Sequence, residues 1–252
     1  MVALQLTDDA VRAAATVVLL RDGTDGPETF LLRRVASMAF APRMHVFPGG
    51  RVDSVDAENP VALPADADVP TLAGRASTDE PGVRALYACA VRETAEEAGI
   101  ALAVPDASGV PVVDPRRLPI VGHWVTPEGE SRRYDVRFFA YVVDDGQARL
   151  TTTEADHARW IRPADALDEF AAGGLRMLPP TESVLRQLVG YERAADALAA
   201  LAATVVRPLL PRRRPDGSAW DLVDAYTGEV LRAGVDRPHT RETDGRPAET
   251  ST

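Results

Sequence analysis

Two runs near the start of the chain, AAATVVLL at residues 13–20 and ETFLLRR at 28–34, are apolar and β-branched or leucine-rich, with the turn-forming RDGTDGP between them. That pattern predicts a β-hairpin. HVFPGG predicts a short strand that stops at Pro48 and a glycine pair. Residues 53–82 are rich in Pro, Asp and Ala without sustained periodicity, and are expected as a surface loop. From Gly82 the pattern turns helical: Ala88, Val91, Ala95 and Ala98 recur at offsets of three, four and three, and Gly99 is placed to end the helix as a C-cap.

Further on, IVGHWVTP and YDVRFFAYVV predict strands, and ARWIRPADALDEFAAGG predicts a strand end running into a helix with Pro163 in its first turn. Residues 181–206 predict one long helix. Its Val184, Leu188, Tyr191, Ala195 and Leu198 keep near-heptad spacing, which serves either the domain's own core or a dimer seam. Residues 233–252 hold almost no apolar side chains and are expected to be disordered. The elements together predict an α/β domain over residues 1–232, a sheet with helices packed on it.

Composition narrows the partners. The 252 residues suit one domain with decorations, and all 28 basic residues are arginine. A net charge of -10 repels a phosphate backbone, which argues against nucleic acid as a partner and means that a polyphosphate substrate would need a metal bridge. The single cysteine, Cys89, has no internal disulfide partner and reads as a small core residue. The N-terminal MVALQLTDDAVRAAATVVLLRDG has an acid pair where a signal peptide would be basic, and no run approaches the ~18 apolar residues of a membrane span. A cytoplasmic protein with no membrane partner is the expectation.

The chemistry concentrates in ACAVRETAEEAGI, residues 88–100. At about 100° per residue, Glu93, Glu96 and Glu97 fall on one side of the helix, roughly opposite Ala88, Val91, Ala95 and Ala98. Like charges at these spacings cost a few tenths of a kcal/mol per pair, and the helix C-terminus disfavours anions further. A solvated acidic face is one reading. The other is a cation site, because FPGG supplies a chain reversal whose glycines let backbone approach a ligand, and Mg²⁺ prefers oxygen ligands.

These residues resemble the Nudix box, G-x5-E-x7-R-E-U-x-E-E-x-G-U with U aliphatic. RETAEEAGI, residues 92–100, matches its second half with only Thr94 departing from an aliphatic U, and FPGG supplies the box glycine as Gly50. The halves are separated. Six residues on from Gly50 stands Asp56 where the box has glutamate, and Arg92 lies 36 beyond it where the box has 8. Eight residues before Arg92 stands Arg84, so Asp53, Asp56 or neither replaces the first glutamate. An interrupted box followed by GHWVTP, SRRYDVRFFAY and LPPTESVLRQL is similar to the peroxisomal-type coenzyme A diphosphatase branch of the superfamily.

That resemblance implies a Nudix α/β/α sandwich around a mixed β-sheet, with an inserted loop in the box and an extra C-terminal helix. It implies a pyrophosphohydrolase using Mg²⁺ or Mn²⁺ on a nucleoside diphosphate linked to another moiety. Coenzyme A or acyl-coenzyme A is favoured, while ADP-ribose, NADH and dinucleoside polyphosphates stay open, as does a Nudix-fold ligand sensor without turnover. By position, Glu96 and Glu97 become metal ligands, Glu93 a ligand or water-orienting carboxylate, Arg92 the cation that holds them, and Gly50 a backbone metal contact. Glu154, in the late loop TTTEADHARW, is the further catalytic candidate. Gly49 and Gly50 with Arg34, Arg43 and Arg133 are the candidates for holding substrate; Arg33, Arg132 and Arg137 are alternatives. His45 is a candidate for lining the site, and the spacings of His45, His123, His157 and His239 match no zinc motif. RRR at 212–214 is expected to solvate a linker or touch a 3′-phosphate. A homodimer is expected from the resemblance alone.

Overall fold

The computed structural model describes residues 11–38, 40–144 and 148–235. β1 (Val11–Gly23) and β2 (Gly26–Arg34) form the expected hairpin, longer than its apolar runs because the polar ends pair as well. Gly26 closes it at φ 110°, a conformation open to a residue without Cβ. The glycine turn then proves to be a crossing between strands. β3 (His45–Val46) pairs with β2, and β4 (Gly49–Arg51) pairs with β1. Pro48 lies between them and accepts the Val17 N–H on its carbonyl at 2.8 Å.

The segment expected as a surface loop is largely helical: α1 (Ser54–Glu58), α2 (Val69–Ala76) and the start of α3 (Glu80–Ala98). Asp68 caps α2 by accepting the Thr71 N–H, Asp79 caps α3 by accepting the Gly82 N–H, and a proline stands in each first turn. Val69, Ala73 and Ala76 enter the core with Val83 and Leu86. Helices of five and eight residues are too short to print a stripe in the sequence.

The buried face of α3 also differs from the expected stripe. Ala95 is exposed and Val91 half-buried, while Val83, Leu86, Tyr87, Ala90, Thr94 and Glu97 face inward. Alanines contribute little transfer energy, so the bulkier side chains decide which face docks. Glu97 therefore sits on the buried side of the helix.

After α3 come a small pair, β5 (Val104–Pro105) and β6 (Pro111–Val112), then β7 (Ile120–Val125), β8 (Arg133–Val142), β9 (Ala155–Ile161) and α4 (Pro163–Ala171). The expected long helix over 181–206 is two helices, α5 (Pro179–Leu188) and α6 (Ala194–Ala203), parted near Gly190, whose φ is 92°. The near-heptad line is thus interrupted: Val184 and Leu188 are buried in the chain's own core, and Ala195 is exposed. β10 (Pro208–Arg213), β11 (Trp220–Asp224) and β12 (Val230–Val235) follow as an antiparallel meander. RRR is accordingly part of a strand and its edge, and residues 233–235, expected in the tail, belong to β12. Residues 236–252, the rest of that expected tail, lie outside the described residues.

The main sheet runs β12-β11-β10-β7-β8-β1-β2-β3, with β4 also on β1 and β9 on β2. It is mixed, since β1 lies parallel to β8 and antiparallel to β2. Alternation along β1 sends Ala15, Val17 and Leu19 into the core shared with α2 and α3, and Val18 and Leu20 into the core shared with α4, α5 and α6. Burial on both faces explains the unbroken apolar run that opened the sequence. No helix among the described residues is long and apolar enough to cross a membrane.

Candidate active site

The second half of α3 lies against β4, which brings Arg92, Glu93, Glu96 and Glu97 to Gly49 and Gly50. Glu97 is 7% exposed, and its Oε2 accepts the Gly49 N–H at 2.8 Å. Burial pushes its carboxyl up to about 7, against the Gly49 hydrogen bond, which favours the anion. Glu93 is also raised by burial, opposed by Arg92. Glu96 is exposed. Three carboxylates at graded depth thus share one helix end.

Gly50 is required by proximity. A Cβ there would lie 2.3 Å from the Glu93 Oε1 and 2.4 Å from its Cδ. Gly49 is required by the backbone: its φ is 154° and a Cβ would meet the Ala15 carbonyl oxygen at 2.3 Å. β4 packs against β1 through Gly49, where a side chain would meet backbone, and against α3 through Gly50, where it would displace the end of Glu93.

Arg92 organises the cluster. Its Nε and Nη2 donate to Asp56 at 2.9 and 2.8 Å, Nη1 to Glu93 at 2.7 Å and Glu96 at 3.2 Å, and Nη2 also to the Arg51 carbonyl at 3.2 Å. The bond to Asp56 raises the guanidinium's pKa, so it stays charged throughout. Of the two acids, Asp56 is 3% exposed and receives the arginine, while Asp53 is partly exposed and pairs with Arg51 at 2.6 Å. The Asp53 N–H donates to the Asp56 Oδ2 at 2.9 Å.

A cleft of about 540 Å³ opens over this cluster, with Gly49, Gly50, Arg92, Glu93, Glu96, Glu154 and Arg34 among its lining residues. The Arg34 Nε is buried with no hydrogen-bond partner among the described residues, and its charge lowers the pKa of Glu97. Glu154 acts the other way, raising both Glu93 and Glu97. The cleft thus gathers acids with a neighbouring guanidinium.

Other candidates lie elsewhere. Arg43 lines an adjoining cavity, and Arg133 donates to the Thr126 carbonyl. It is Arg132 that lines the cleft, with Tyr134 and Val136. Strand alternation in SRRYDV carried that signal, since positions 132, 134 and 136 share one face and 133 and 137 the other. Arg137 is buried, donating to the Ala76 carbonyl and pairing with Asp135. His45 is buried with its Nδ1 3.1 Å from the Arg176 carbonyl, and burial lowers its pKa. His123 is buried against Asp135, and His157 is exposed. Cys89 lies behind β4, its Sγ 3.3 Å from the Arg51 carbonyl, and burial raises its thiol pKa, as expected of a core cysteine. Phe40 and Tyr134, which the sequence did not single out, meet edge to face at 5.1 Å on the cleft wall.

The carboxylates are oxygen donors of the kind a hard divalent cation takes, and burial raises the pKa of two of them. As placed here, no group of three or more His, Cys, Asp or Glu among the described residues is arranged to hold a metal ion. Arg92 occupies part of Glu93 and Glu96, so a cation would share them with it.

A NUDIX domain family model matches residues 70–180, which include Arg92, the three glutamates and Glu154 but not the glycine pair. The crystal structure of a NUDIX hydrolase from Alicyclobacillus acidocaldarius is 32% identical, with a TM-score of 0.61 over 77% of this chain and 97% of that one. A Caenorhabditis elegans protein provisionally named nudix hydrolase 7 is 29% identical over 70% of this chain and 60% of its own length. The acyl-coenzyme A diphosphatase NUDT19 of Gallus gallus is 26% identical over 67% of this chain and 63% of its own. The chain therefore spans about three fifths of the length of these curated relatives.

Proposed function

The chain belongs to the Nudix hydrolase family, and from that premise we propose that it is a divalent-cation-dependent pyrophosphohydrolase cleaving coenzyme A or acyl-coenzyme A to 3′,5′-ADP and 4′-phosphopantetheine or its acyl form. The observation that carries the reaction class is the cluster at the cleft: Glu93, Glu96 and Glu154 line it with Gly49 and Gly50, Glu97 lies buried against Gly49, and Arg92 orders Glu93 and Glu96. The substrate rests on the interrupted box and on the name of the Gallus gallus relative.

In this reading Glu93, Glu96 and Glu97, with the Gly50 backbone, would hold Mg²⁺ or Mn²⁺, which would supply charge neutralisation for the pyrophosphate and a lowered pKa for bound water. The chain's own groups do the positioning. Arg92 fixes the Glu93 and Glu96 carboxylates while Asp56 fixes Arg92. The Gly49 N–H donates to Glu97 at 2.8 Å and holds its carboxylate against β4. Arg34 and Arg132, which line the cleft, are the arginines placed to meet phosphate oxygens, and Glu154 lines the same cleft.

Product analysis by mass spectrometry tests this, with Mg²⁺ at a concentration on the order of millimolar, enough for a weakly held hydrated ion. Coenzyme A, acetyl-coenzyme A, ADP-ribose, NADH and diadenosine tetraphosphate are incubated in parallel, with Glu97→Gln as the blank. Release of 3′,5′-ADP from the coenzyme A compounds alone supports the reading. Cleavage of another substrate keeps the reaction class and discards the substrate, and silence across the panel with intact folding rejects both.

A further inference from the structure

Next to the carboxylate cleft lies a second cavity of about 640 Å³, within the range of small-molecule sites. The two share a wall of Phe40, Thr126, Val136, Leu178 and Pro180, so a ligand in one extends directly into the other. Their chemistry differs. Acids and arginines line much of the cleft, whereas the second cavity is walled mainly by Met44, Trp124, Val125, Trp220 and prolines, with Arg43 and Arg176 among its few charged residues. The preceding loop is shaped to form it: Ala41 and Arg43 both hold left-handed backbone, at φ 50° and 59°.

Two walls come from outside the hairpin and box. Trp220 and Pro211 belong to the C-terminal meander, whose first strand joins the sheet on β7. This meander contributes nothing to the carboxylate cleft, but it closes the far side of the second cavity.

We propose that this cavity is the subsite for an apolar acyl chain on the moiety opposite the nucleoside, and that the C-terminal meander, through Trp220, sets the preference for acylated over free substrate. The inference rests on the proposed coenzyme A reading. With pyrophosphate at the carboxylates, a pantetheine arm running past Phe40 and Leu178 would carry its acyl end into this half-open, mainly apolar cavity. An acyl chain gains there by transfer from water at roughly 0.8 kcal/mol per buried methylene, which a free thiol cannot do.

The test compares kcat/KM for coenzyme A, acetyl-, octanoyl- and palmitoyl-coenzyme A in the full chain, in Trp220→Ala and in Ser131→Trp. Ser131 is an exposed rim residue, so its replacement fills the cavity without disturbing the core, and it serves if Trp220→Ala melts early. The wild type is expected to favour octanoyl- over free coenzyme A, and each variant to lose about tenfold on the octanoyl substrate, equivalent to 1.4 kcal/mol. Coenzyme A itself should change by less than about twofold, well under that step. A chain-length profile unaltered by both variants overturns the proposal. Equal losses on all four substrates also overturn it, and assign the cavity to the adenosine end instead. If no coenzyme A compound is cleaved, the underlying reading has failed, and calorimetric binding of octanoyl-pantetheine without metal decides the subsite: binding abolished by Ser131→Trp upholds it, and absence of binding to wild type overturns it.

Discussion

Arg92 on α3 and Asp56 on α1, 36 residues apart in the chain, meet in a two-pronged ion pair with donor–acceptor distances of 2.9 and 2.8 Å. The pair ties the inserted segment to the helix that bears the glutamates. It also fixes the guanidinium edge that faces Glu93 and Glu96.

Replacing the buried member should therefore damage both fold and site. Asp56→Asn is expected to cost about 3 kcal/mol, the scale for breaking a buried pair, and to lower kcat/KM as Arg92 loses its anchor. Asp53→Asn, at a partly exposed pair, should cost less than about 1 kcal/mol. Urea denaturation and kinetics of both variants check this, and equal effects would contradict the assignment of Asp56.

The two glycines should fail differently. Gly50→Ala places a methyl against the end of the Glu93 side chain, which can swing away, so stability should change little while a misplaced carboxylate costs about 10²-fold in kcat/KM. Gly49→Ala meets backbone that cannot move and is expected to lose on the order of 3 kcal/mol of stability. Thermal melts beside kinetics separate the two outcomes.

Glu97 predicts a pH signature. Its folded carboxyl titrates near 7 against 4.5 in the open chain, so between those values the folded state keeps a proton that the unfolded state has lost. Its contribution to stability thus falls as pH rises from 4.5 to 7, and above 7 the buried anion is a net cost. With chelator present, Glu97→Gln should melt several degrees above wild type at pH 8, since a pKa unit is about 1.4 kcal/mol and 1 kcal/mol moves Tm by roughly 2–4 °C in a chain of this size. The difference should close towards pH 4.5. Added Mg²⁺ should raise the wild-type Tm more than the variant's, while the variant's turnover is lost. Calorimetric melts from pH 4.5 to 8, with and without Mg²⁺, decide it.

Thr94 stands where the box has an aliphatic residue; it is fully buried, and its hydroxyl has no partner among the described residues. Thr94→Val should stabilise the fold by about 1 kcal/mol, the relief of one unpaired buried polar group, and leave kcat/KM unchanged. A fall in stability would mean that the hydroxyl is satisfied.

Much of this was legible along the chain. The hairpin, β7, β8 and the strand-to-helix passage at Pro163 follow from local pattern, because apolar runs and turn residues act over a few neighbours. RETAEEAGI fixed which side chains share a helix end, since helical geometry alone places Glu93, Glu96 and Glu97 within a turn of one another.

What the sequence left open depended on partners far away in the chain. Which face of an alanine-rich helix is buried was settled by packing against β1 and β4, and this put Glu97 inside and gave it a raised pKa. Asp56 and Asp53 are chemically alike, and only the position of Arg92 separates them. The helices within 53–82, the break near Gly190 and the C-terminal meander were too short or too proline-rich to leave a period of their own. Sequence determined the inventory of charged and flexible residues at the site. Tertiary structure decided their solvation, because desolvation and ion pairing depend on what the rest of the chain brings alongside.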